Sequence, residues 1–152
     1  PIEGFAQEDT AFLRPDPNTT ITMPSAAEGP ITFGAYDHRR ESLYIHSGRG
    51  YTRDQDVKPD LVAPGVDIYG AVAGGRFGRR SGTSLAAAHG AGAAALLLER
   101  GLIQGNYRGM RTRDVKSLMI RGAKRSVAAL YPNRSYGYGA LDLFQIFTTI
   151  SL

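Results

Sequence analysis

The chain has 152 residues, enough for one domain with a sizeable core. It has no cysteine, which excludes a disulfide framework, a thiol nucleophile and cysteine-ligated zinc. Its 18 Lys and Arg against 14 Asp and Glu give a net charge of +4. The positives are scattered in pairs such as Arg39-Arg40 and Arg79-Arg80, or along Arg108 to Arg125, with no groove-reading motif beside them, so no nucleic-acid partner is expected.

Residues 1–19 read as an irregular connector containing the turn cluster Arg14-Pro15-Asp16-Pro17-Asn18, and residues 1–24 hold no apolar signal-peptide segment. Thr20 to Met23 alternate as a short strand that ends at Pro24. Ile31 to Tyr36 and Leu43 to Ile45 are strand candidates separated by the charged turn Asp37 to Glu41. A polar, glycine-containing loop over 47–59 follows. Leu61-Val62 and Val66 to Val72 then flank an Ala63-Pro64-Gly65 turn, and Gly74 to Arg80 reads as a loop leading into a long helix.

That helix covers Leu85 to Leu98 and should stop at Gly101. Gly90 and Gly92 each cost it about 1 kcal/mol against Ala, so close neighbours are expected and the helix is predicted to be central. The same run is too short and too rich in Gly and Ala to span a membrane. Thr112 is placed to cap a second helix with Val115, Leu118, Met119 and Gly122 on one face. Leu141, Leu143, Phe144 and Phe147 suggest a last helix covering the core. Asn18-Thr-Thr and Asn133-Arg-Ser match the glycosylation acceptor pattern, which is short enough to arise by chance.

The chemistry concentrates where the long helix begins. Gly82 lets the backbone turn sharply, Thr83 or Ser84 can start the helix, and the free N–H groups of a first turn would stabilise an oxyanion forming beside Ser84. Hydroxyls at helix starts more often simply cap the helix, so Ser84 as a nucleophile needs support from its context. The three histidines do not supply a base. His89 lies five residues after Ser84, rotated off its face of the helix, and suits a core or interface position. His38 follows Asp37 in a solvated turn, and His46 has no assignable role.

The context is a resemblance. Gly82 to Gly92 (Gly-Thr-Ser-Leu-Ala-Ala-Ala-His-Gly-Ala-Gly) resembles the nucleophile motif of the subtilisin-like serine proteases, Gly-Thr-Ser-x-Ala-x-Pro-His-x-Ala-Gly, with Ala88 in place of the proline. The match continues in register. Lys58 to Gly65 (Lys-Pro-Asp-Leu-Val-Ala-Pro-Gly) resembles the buried strand that ends in Ala-Pro-Gly, and Ile31 to Tyr36 is similar to the family's Ile-x-Val-Gly-Ala strand. Tyr136 to Asp142 resembles the Gly-x-Gly turn that opens the last helix. Ser47 to Arg53, together with Ala88, looks like the clostridial spore-germination branch and its Firmicute relatives.

The resemblance implies an α/β fold: the C-terminal part of a subtilisin-like three-layer structure with a mostly parallel sheet and a central nucleophile helix, residues 20–152 carrying the sheet and helices. It implies Ser84 as the catalytic nucleophile and Thr83, Ile21, Thr22 and Met23 as substrate-binding residues, the last three on one wall of the primary specificity pocket. In the family the catalytic Asp and His and the oxyanion-hole Asn precede these motifs, so the missing N-terminal half of the same domain is the expected partner of this chain. The intact parent is expected to be a serine endopeptidase that acts on a peptide or protein substrate without metal or cofactor, and the chain alone is expected to be inactive. The alternative is a pseudoprotease serving as a binding or sensing module. A sheet lacking its neighbours should also expose strand edges and self-associate.

Overall fold

The computed structural model describes Ala11 and residues 13–150, so most of the connector expected over 1–19 lies outside the described residues. Three strands form the central sheet: β1 (Phe33–Asp37), β2 (Ser42–Leu43) and β3 (Leu61–Pro64), in the order β2-β1-β3. β1 and β3 are parallel, in register from Phe33 opposite Leu61 to Tyr36 opposite Pro64, while β2 is antiparallel to β1. Leu61, Val62 and Ala63 are all fully buried, as expected of a parallel strand covered on both faces.

The long helix α1 (Thr83–Leu98) lies across β1 and β3, and its small residues explain how closely it does so. Ala86, Gly90, Ala93 and Leu97 form its buried stripe at spacings of four and three residues. Ala86 packs with Ala35 and Ala63 of the sheet. A Cβ on Gly90 would collide with the Phe33 ring, so β1 can approach only a glycine there. The opposite side of α1, including Ala87, Ala88, Ala91, Gly92 and Ala95, is exposed.

The helix does not stop at Gly101. It widens into a π-helical turn over Glu99–Ile103, and Gly101 is buried where a Cβ would fall 2.6 Å from Met110 Cε. Gly101 serves side-chain packing, and the chain turns instead at Gly105, where φ is +78°.

The second helix, α2 (Thr112–Arg121), buries Val115 and Met119 as the stripe predicts. Its start is closed by Asp114 Oδ2, which accepts the Arg111 N–H at 2.8 Å, rather than by the Thr112 hydroxyl. The last helix, α3 (Leu143–Ile150), is opened by Asp142, whose Oδ1 accepts the Gln145 N–H at 2.9 Å. Its fully buried residue is Ile146, which joins Leu61, Leu97 and Met119 in the main core, and Phe147 packs beside them. Phe144 does not cover the core but is 78% exposed.

Two further expectations are corrected. Gly74 to Arg80 is not a loop throughout: β4 (Ile68–Val72) and β5 (Arg76–Arg80) pair antiparallel as a separate hairpin turned at Gly74 and Gly75. With arginines at both ends of β5 and solvent over much of the hairpin, no hydrophobic period marks the strand. Thr20 to Met23 is not a strand. Thr19 and Thr20 donate their N–H groups to Gly50 O and Arg49 O, after which the Ala26 and Ala27 N–H groups close turns onto Thr22 O and Pro24 O. Thr22 and Met23 are exposed, so their alternation has no sheet beneath it.

A buried charge cluster ties these pieces together. Asp60 Oδ2 accepts the Thr32 N–H at 2.7 Å and pairs with Lys58 Nζ at 2.9 Å, while Oδ1 pairs with Lys116 Nζ at 2.6 Å. Lys58 Nζ also donates to Pro30 O and Thr32 Oγ1, and Thr32 Oγ1 to Ser25 O. Segment 25–32, β3 and α2 thus share one carboxylate. Among the described residues, no helix is long and apolar enough to cross a membrane.

Candidate active site around Ser84

The site is built from the C-terminal end of the parallel strands. β3 leaves the sheet at Pro64, and Gly65 N–H continues the pairing by donating to Tyr36 O at 3.1 Å. Gly65 O then accepts the Gly82 N–H at 2.8 Å, which docks the segment before α1 directly onto the end of β3. The approach is tight: a Cβ at Gly65 would lie 2.6 Å from Ala35 Cβ and 2.9 Å from Gly82 O. Gly82 is in extended backbone, and Leu85 N–H returns to Gly82 O at 3.2 Å as the first turn closes.

Ser84 lies in that first turn and is exposed. Neither its hydroxyl nor its N–H, nor the Thr83 N–H, has a protein partner among the described residues, and no acidic side chain occupies the first turn of α1. An oxygen carrying developing charge would therefore meet free N–H donors at the positive end of a 16-residue helix, with no acidic side chain in that turn to repel it. Thr83 is half-buried beside Ser84. Ser81 plays a supporting part that its sequence position did not reveal: its Oγ accepts the Asp67 N–H at 2.9 Å and fixes the base of the hairpin against the segment entering α1.

The remaining candidates are spread out. Ile21 is half-buried, within packing distance of Gly48, whereas Thr22 and Met23 are exposed in their turn. His89 is exposed rather than in the core, with Nδ1 2.8 Å from Leu85 O of the preceding turn. His46 packs edge-on against Tyr44. His38 is exposed in the turn between β1 and β2, as expected. His38 and His89 line one groove of about 400 Å³ with Arg39, Asp67, Tyr69 and Arg79. At its rim Asp67 Oδ2 pairs with Arg39 at 2.6 Å and with Arg79 at 2.9 Å. Near the same turn, the Arg39 N–H donated to Asp37 holds that carboxyl below the usual carboxylate range.

A serine free at the mouth of a helix packed on a buried parallel sheet defines an α/β protein with an exposed hydroxyl at an anion-stabilising position. The chain belongs to the subtilase family, whose family model matches residues 13–139. It is 31% identical over 151 residues to the C5a peptidase of Streptococcus pyogenes serotype M18, an alignment covering 93% of this chain and 12% of that protein. It is 39% identical over 84 residues to the thermophilic serine proteinase of Bacillus sp. strain AK1, covering 55% of this chain and 19% of that enzyme. Among solved structures, the Clostridium perfringens CspB protease superposes with a TM-score of 0.89 at 38% identity, covering 93% of this chain and 31% of that one. The chain thus spans a minor part of the length of these relatives. The α/β subtilase fold expected from the Gly-Thr-Ser and Ala-Pro-Gly segments is the fold found.

Proposed function

We propose that the protein to which this chain contributes is a serine endopeptidase and that Ser84 is its nucleophile. The observation that carries this reading is the free Ser84 hydroxyl in the first turn of α1, beside unpaired N–H groups, within a subtilase chain. Ser84 Oγ attacks the peptide carbonyl, and the carbonyl oxygen becomes an oxyanion held by the Ser84 N–H. A histidine from outside this chain takes the Ser84 proton and returns it to the leaving amine, and an aspartate orients that histidine. An asparagine side chain, also from outside, completes the oxyanion hole. Water then releases the acyl group by the same proton traffic in reverse.

This division of labour explains why the chain alone is expected to be silent. His89 lies against the carbonyl one turn back, His46 packs edge-on against Tyr44, and His38 sits in the β1–β2 turn, and none forms a hydrogen bond to Ser84. A fluorophosphonate probe should label Ser84 stoichiometrically in the whole protein, or in this chain co-expressed with its upstream half. It should leave the isolated chain essentially unlabelled. Ser84→Ala should abolish hydrolysis while the two halves still associate. Rapid labelling of the isolated chain would overturn the assignment of the base to another segment, and an unreactive Ser84 in the whole protein would overturn the enzyme reading.

A further inference from the structure

The hairpin that leads into the nucleophile carries more positive charge than its own structure uses. β5 supplies Arg76, Arg79 and Arg80, and neither β4 nor β5 contains an acid. The pairing register places Arg76 and Arg80 on one face, opposite Val72 and Ile68, and puts Arg79 on the other with Tyr69 and Phe77. Arg79 is accounted for: it pairs with Asp67 and stands 5.8 Å from the centre of the Tyr69 ring. Asp67 is already shared with Arg39, so that carboxylate is more than neutralised. Arg76 and Arg80 form no ion pair among the described residues, and the one hydrogen bond from the Arg80 side chain is to the Arg79 carbonyl at 2.9 Å.

The position of this charge gives it a target. Arg80 ends β5 only four residues before Ser84, a separation of at most about 14 Å even in fully extended chain. The segment between them is anchored at both ends of its turn, by Ser81 Oγ to Asp67 N–H and by Gly82 N–H to Gly65 O, so the hairpin holds a fixed place beside Ser84. With Ser84 as the nucleophile, the C-terminal end of β5 therefore lies within about 14 Å of the bond being cut, close enough for an arginine side chain to reach substrate residues near that bond. An acidic substrate side chain that comes within about 8 Å of the guanidinium still feels its charge at physiological salt, whereas one farther away is largely screened.

We propose that the β4–β5 hairpin is a specificity element: substrates carrying Asp or Glu within about four residues of the scissile bond are cut in preference to their neutral isosteres, with Arg80 the main determinant and Arg76 supporting it. The inference rests on the reading of Ser84 as the nucleophile. Its alternative is that the arginines only keep an open two-stranded hairpin from pairing with other strands.

The test uses the whole protein and pairs of fluorogenic peptides that differ by Glu or Gln at one position at a time on either side of the cleaved bond. The expected kcat/KM ratio of Glu to Gln peptide is about five to ten at positions on one side, falling towards one when salt is raised about tenfold. Arg80→Gln should lower the ratio, and Arg76→Glu with Arg80→Glu should bring it below one. A ratio of one at every position, or one that survives both salt and charge reversal, overturns the proposal while Ser84 still labels. A protein whose Ser84 does not label overturns the nucleophile reading and this inference with it.

Discussion

Gly65 is the residue on which the geometry around Ser84 turns. Its carbonyl receives the Gly82 N–H, and its missing side chain lets Ala35 and Gly82 close in on the end of β3. Gly65→Ala would place a methyl 2.6 Å from Ala35 Cβ and 2.9 Å from Gly82 O, both on parts of the molecule that cannot swing away. The substitution should cost about 1–3 kcal/mol of stability and displace the turn that carries Ser84; if Ser84 is the nucleophile, as proposed, its labelling then slows by more than tenfold in the whole protein. Denaturant midpoints and probe kinetics measured on one preparation check both effects. Unchanged labelling would show that the Gly82–Gly65 contact does not position Ser84. The place of Ser84 in the first turn of α1 was legible because its neighbours form a motif. Ser81 was legible only as a hydroxyl, since its partner Asp67 lies 14 positions away and such pairing leaves no local pattern.

Among the elements, those with a strong period or motif were legible and those set by distant partners were not. α1, α2 and the parallel strands follow from small-residue runs, an apolar stripe and the Ala-Pro-Gly turn. β5 was hidden because a hairpin without a buried face need not alternate, and Thr20 to Met23 misled because alternation without a sheet beneath it has no structural force. Gly101 looked like a helix stop, but the space it vacates is filled by Met110. Lys58 and Asp60 were visible as part of the strand motif, yet their partners Thr32 and Lys116 could be found only in three dimensions. Because Asp60 is fully buried and satisfies two lysines, Asp60→Asn should destabilise the fold by about 3–5 kcal/mol, leaving Lys58 without its counter-charge. Replacing Lys58 and Asp60 together with Met and Leu should cost less than Asp60→Asn alone. Chemical denaturation of the whole protein tests this ordering, and equal losses would mean that the pair acts through packing alone.

At the scale of the whole molecule, the feature that demands an explanation is a central helix with one uncovered side. Apart from His89 and the hydroxyls of its first turn, α1 consists of Gly, Ala and Leu on every side, which is the composition of an enclosed helix, yet Ala87, Ala88, Ala91, Gly92 and Ala95 face solvent and a Cβ at Gly92 would meet nothing within 4 Å. In the isolated chain this surface has no cover from the described residues, and the β4–β5 hairpin adds exposed Tyr69 and Phe77. Such a surface favours association with another copy until a better-fitting partner displaces it. The isolated chain should therefore sediment above its monomer mass of 16.4 kDa at concentrations of order micromolar. Ala88→Glu with Ala95→Glu should shift it towards monomer, because a charge placed on that face must be desolvated for copies to pair. On the proposal that an upstream half completes the domain over this face of α1, the same two substitutions should also weaken its capture. A wild-type chain that sediments as a monomer at all concentrations would show that solvent alone tolerates the exposed face. If the glutamates release the self-association but leave capture of the upstream half unchanged, the two partners use different surfaces.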